Sequence, residues 1–98
     1  MRIVIPHHTD KANARRKIEA RLQELLGQHG HYLSEINQHW EDDRLLFSGS
    51  AKGFKVNGSV EITDSEIILD GKLPLIAKPF ESRIKSTIEH EAATMFSA

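Results

Sequence analysis

Cysteine is absent from this 98-residue sequence. That excludes a disulfide framework, a thiolate nucleophile and a cysteine-based zinc site, and it fits a reducing compartment. Long apolar runs are also missing. The opening residues 1–6 hold too few apolar positions for a signal-peptide core, and no later stretch approaches the ~20 apolar residues that cross a bilayer. A soluble, cytoplasmic protein is the expectation. An excess of positive charge is lacking as well: 13 Lys and Arg stand against 14 Asp and Glu, a formal net charge of -1. Nucleic acid is therefore not an expected partner.

Recognisable catalytic motifs are missing too. Ser48, Ser50, Ser59 and Ser65 stand in no GxSxG context, and residues 49–53 have neither a nucleophile elbow nor the spacing of a phosphate-binding loop. Six histidines invite a metal reading, above all His7-His8 and His29-Gly30-His31. Adjacent residues on an extended segment point to opposite faces, and neither pair has an HExxH pattern or cysteine partner. Neither a metal nor a cofactor is expected, and no residue is assigned a catalytic role.

What is present describes one α+β domain over residues 1–98. Hydrophobic residues are 39% of the chain and charged residues 28%, enough for one core. Residues 1–5 read as a short β-branched strand that ends at Pro6. Thr9 or Asp10 can cap a helix in which Ala14, Ile18, Leu22 and Leu25 form one apolar stripe, with Gly27 as its terminator. Residues 28–43 have a weaker pattern, in which Ile36, Gln38 and Trp40 alternate well enough to start a strand, so that three or four strands meander between the helices. Residues 44–48 read as a strand, and 49–53 as a turn of small residues.

From Phe54 to Ile62 the alternation is complete: Phe54, Val56, Gly58, Val60 and Ile62 share one face; Lys55, Asn57, Ser59 and Glu61 share the other. Residues 66–73 predict an antiparallel partner strand with Ile67, Leu69, Gly71 and Leu73 inward. Pro74 and Pro79 bracket a linker into a last helix striped by Phe80, Ile84, Ile88, Ala92 and Met95, with Phe96 beside it. Two striped helices and a sheet with one apolar face satisfy one another when both helices pack on the same side. The expected fold is a two-layer sandwich: a curved antiparallel sheet of about four strands with two helices on one face, in the order β-α-β-β-β-α.

Three positions are candidates for contact with a ligand or partner. Trp40 and Asp43 belong to Trp40-Glu41-Asp42-Asp43, where three carboxylates crowd beside a ring; a solvated turn is the favoured reading over an acid-base pair. Gly58 interrupts the inner face and marks a bend or a close helix approach. The basic residues Lys11, Arg15, Arg16, Lys17 and Arg21 of the first helix read as a solvated face.

The opening strand with His7-His8, Ala20-Arg21-Leu22, Trp40 with Asp43, Leu45-Leu46-Phe47, Gly53, Gly58, Leu73, Phe80, Ile84 and Ile88 together carry a resemblance across nearly the whole chain. The sequence resembles the polyhydroxyalkanoic acid system protein family, the polyhydroxyalkanoate granule-associated region family. That family usually has a glycine between the tryptophan and the aspartate, where this chain has Glu41-Asp42. The resemblance implies a link to the bacterial polyhydroxyalkanoate storage system and brings no catalytic residues. The expected function is thus a non-enzymatic accessory or interaction protein, associated with storage granules and their components. The alternative is a carrier or enzyme for a small apolar ligand, held between the curved sheet and the C-terminal helix. A homodimer through a sheet edge is a further expectation.

Overall fold

The computed structural model describes residues 1–29, 33–51, 54–73 and 75–96. In chain order these form β1 (Arg2–Pro6), α1 (Lys11–His29), β2 (Leu33–Glu41), β3 (Arg44–Ala51), β4 (Phe54–Ile62), β5 (Glu66–Lys72), a 3-10 turn (Leu75–Phe80) and α2 (Glu81–Met95). The five strands make one sheet in the order β1-β5-β4-β3-β2, antiparallel at every pairing. β2 to β5 follow as a meander, and β1 closes the far side by pairing Ile3 with Leu69 and Ile5 with Ile67.

Five strands, in the order β-α-β-β-β-β-α, correct the expected four. The additional strand is β2, whose pattern a bulge disguises. Its register skips between Ser34 and Asn37, so that Glu35 and Ile36 face a single residue of β3. Glu35 takes φ 53° there, and the extra residue breaks the period of two. β3 in turn runs through Ala51, with Gly49 paired to Val56 inside the ladder, where residues 49–53 were expected to turn; Lys52 and Gly53 lie outside the described residues.

Local chemistry fixes the helix ends. Asp10 caps α1, its Oδ1 accepting the Asn13 amide at 2.8 Å, which satisfies one of the amides left free at a helix start. α1 extends through His29, so Gly27 lies inside the last turn instead of ending it. Pro6 closes β1 as expected, still in register with Glu66.

The core gathers where both helices meet one face of the sheet. Ala14 and Ile18 of α1 and Phe96 at the end of α2 pack with Leu45, Ile62 and Ile67, while Leu22, Trp40, Val60 and Met95 border them. Burying each large aliphatic side chain contributes about 1.5–3 kcal/mol. The side chain of Leu25 lies outside the described set. The inner face of β4 is covered unevenly: Ile62 is buried, Val56 half-buried and Phe54 44% exposed. α2 has no buried residue of its own. Phe80, expected in its stripe, stands in the 3-10 turn before the helix and is 57% exposed.

Candidate functional site

The β2–β3 hairpin holds two of the candidate residues and is clamped to the start of α1. Glu41 pairs with Arg44, leaving Asp42 and Asp43 as the connection. Asp42 adopts φ 55°, a left-handed conformation that glycine takes without cost and aspartate tolerates. Asp42, one of the two residues that stand where the family's glycine was expected, is thus the one whose conformation favours glycine. Asp43 Oδ2 lies 3.0 Å from Lys11 Nζ, and Asp64 Oδ1 approaches the same ammonium at 3.7 Å. The hydrogen bond to Asp43, reinforced by the charges of Asp43 and Asp64, raises the Lys11 pKa above its ordinary 10.5. The Asp43 carbonyl also accepts the Ile62 amide at 2.9 Å.

Trp40 is half-buried against the core, one residue before the hairpin ends its strand. The Arg15 guanidinium carbon sits 4.1 Å above the ring, and Arg15 Nη1 donates to the Asp42 carbonyl at 3.3 Å. A stacked cation at such an exposed site contributes about 0.5–1 kcal/mol. Of the remaining cations of α1, Arg21 bridges Glu24 and Glu91, each at 2.9 Å, Lys17 Nζ reaches the Met95 carbonyl at 3.3 Å, and Arg16 donates to Asn13 Oδ1 within the helix. The hydrogen bond to Glu24, then that to Glu91, raises the Arg21 pKa. The basic face expected to be merely solvated therefore ties α1 to the hairpin and to α2.

Gly58 lies apart from these, in the middle of the sheet. It pairs with Phe47 on one side and Gly71 on the other. A methyl group placed on it would meet Phe47 Cζ at 2.8 Å and the Asp70 carbonyl oxygen at 2.5 Å. Where a bend or a close helix approach was expected at Gly58, a ring from the neighbouring strand occupies the space beside it. The structure thus connects Trp40 and Asp43 through Arg15 and Lys11, and leaves Gly58 separate.

Four depressions of about 430–540 Å³ open on the surface. One lies over Asn57, Ser59, Asp70 and Lys72 on the sheet face away from the helices, one between α1 and Trp40, one beside Lys78 and Lys85, and one over Asp43, Glu61 and Asp64. None of the four joins Val56, Gly58 or Leu69 of the inner face to α2. Among the described residues, no three His, Cys, Asp or Glu side chains cluster as metal ligands. His29 is described only in its backbone, and Gly30 and His31 lie outside the described residues.

Two features escaped the sequence reading. His7 is buried, with Nε2 donating to the Thr63 carbonyl at 2.8 Å and Nδ1 accepting the Thr9 amide at 3.2 Å. That is one donor and one acceptor, the inventory of a neutral imidazole. Alternation already separates His7 from exposed His8, but nothing in the sequence names Thr63 as partner. The other feature is the apolar 3-10 turn, where Leu75, Ile76 and Phe80 are 84%, 61% and 57% exposed.

The architecture defines a small α+β protein with a five-stranded antiparallel sheet and two helices. The family described as "putative polyhydroxyalkanoic acid system protein" matches residues 1–96, and the chain belongs to that family. No curated protein and no solved structure gives a significant match. No helix among the described residues is long and apolar enough to cross a membrane.

Proposed function

We propose that this protein is a non-enzymatic accessory or interaction protein of the bacterial polyhydroxyalkanoate storage system, located in the cytoplasm and associated with storage granules. The observation that carries this reading is the family match across residues 1–96. The geometry is compatible with binding at a surface. Asp43 is engaged by Lys11 and Trp40 by Arg15, so these candidates brace a hairpin, and Gly58 seats Phe47. Contact with granule components then falls to exposed surface instead of an enclosed cleft.

A fluorescent fusion expressed in polymer-accumulating cells tests the proposal. Fluorescence on granules, becoming diffuse in cells that cannot make polymer, together with altered granule size or polymer content on gene deletion, is the expected result. Diffuse fluorescence in both strains, with unchanged polymer and granules on deletion, would overturn it.

A further inference from the structure

The turn between β5 and α2 exposes three large apolar side chains within six residues. Leu75 is 84% exposed, Ile76 61% and Phe80 57%. Single exposed apolar residues are ordinary on a protein surface, whereas a contiguous group rimmed by charge marks an interaction site. Between positions 72 and 85 the charged residues are Lys72, Lys78, Arg83 and Lys85 against Glu81. Glu81 Oε1 lies 3.6 Å from the N-terminal ammonium, so its charge is already opposed. Among the described residues, no carboxylate lies within ion-pair distance of those four cations. On α1, Lys11 and Arg21 have two carboxylates each and Arg15 one, while Arg16 and Lys17 have none within ion-pair distance among the described residues. In a chain of net charge -1, the exposed apolar turn is thus flanked by four cations without a carboxylate partner among the described residues.

We infer that the turn Leu75–Phe80 docks on an anionic phospholipid surface, with Leu75, Ile76 and Phe80 entering the acyl boundary and the flanking Lys and Arg facing the headgroups. Apolar insertion combined with attraction to anionic lipid is the way monotopic segments bind. The three side chains stand on a short exposed turn, which suits a deformable interface better than a rigid pocket. A second copy of the chain would bring two patches of like charge together in a two-fold contact, which disfavours self-association. The inference stands apart from the granule reading, since lipid vesicles contain no polyester.

Flotation of the full chain with phosphatidylcholine vesicles, with and without 30 mol% phosphatidylglycerol, at low and high salt, tests it, alongside light scattering of the protein alone. The expected result is binding to the anionic vesicles only, weakened by salt. Replacing Leu75, Ile76 and Phe80 together by Ser is expected to weaken binding at least tenfold, and Lys78→Gln, Arg83→Gln and Lys85→Gln by about fivefold each. All six side chains are on the surface, and the melting temperature of each variant checks that it folds. Failure to bind anionic vesicles, equal binding to neutral ones, or indifference to the three Ser substitutions would overturn the inference. So would a concentration-dependent dimer that the Ser substitutions abolish and that binds no vesicles, which would assign the turn to a second copy.

Discussion

Gly58 and Phe47 are paired across β3 and β4, and the ring of Phe47 occupies the space where a side chain at 58 would stand: a Cβ there would lie 2.8 Å from Phe47 Cζ. The backbone adds a second barrier, the Asp70 carbonyl oxygen at 2.5 Å. Gly58→Ala is therefore expected to destabilise the fold by about 2–3 kcal/mol, as overpacking does. In a domain of this size that lowers the melting temperature by roughly 10–20 °C. Adding Phe47→Ala removes the ring but not the carbonyl, so a double-mutant cycle by urea denaturation should show a favourable coupling that recovers only part of the loss. Additive effects would contradict the contact.

The β2–β3 turn offers a gain. Asp42 holds φ 55°, so Asp42→Gly is expected to raise stability by about 0.5 kcal/mol, while Asp42→Val, with a β-branched side chain in the left-handed region, should lose about 1–2 kcal/mol. Thermal melts of the three proteins should rank Gly, Asp, Val. A valine variant as stable as the parent would contradict the turn geometry.

Much of the fold was legible because most strands keep a simple period. Phe54–Ile62 alternates without a break and forms β4 with those bounds, and the stripe of Ala14 and Ile18 faces the core. β2 is legible only over Ile36, Gln38 and Trp40, because a bulge at Glu35 and Ile36 shifts its alternation, and a bulge leaves no unambiguous mark in one sequence. The sites were less legible. Trp40 and Asp43 attract notice as an aromatic residue and a carboxylate, but their partners Arg15 and Lys11 are 25 and 32 positions earlier, and only the packed hairpin brings them near. Leu75 and Ile76 lay in a segment read as a linker between prolines. Exposure of apolar side chains is a property of the surroundings, which a linear pattern does not supply.

His7 supplies a structural test. Its ring is 1% exposed and joins Thr63 at the β4–β5 turn to Thr9 before α1. His7→Ala leaves the Thr63 carbonyl without that partner, and is expected to cost about 2–3 kcal/mol. Exposed His8, with φ 54°, should accept Asn with a change of no more than about 0.5 kcal/mol. Equal urea midpoints for the two variants would contradict the role given to His7.

Lys11 provides a pH test. Its folded-state pKa is raised, first by the hydrogen bond to Asp43 and then by the charges of Asp43 and Asp64. The ammonium is the favoured form in the fold, so the stabilisation from this shift is fully present below the ordinary value near 10.5 and lost as pH rises through the higher folded value. The difference in melting temperature between the parent and Lys11→Met should be constant across neutral and mildly alkaline pH, then shrink above about pH 10.5. A difference that grows with alkalinity would contradict the assignment.

Granule association is measured by co-sedimentation. Purified protein is mixed with native polyhydroxyalkanoate granules, the granules are pelleted through a sucrose cushion, and bound protein is measured against granule concentration, with an unrelated protein of similar size and charge as control. Saturable recovery of this protein in the granule fraction, with none of the control, is the expected result. Protein that stays in the supernatant at every granule concentration would contradict it.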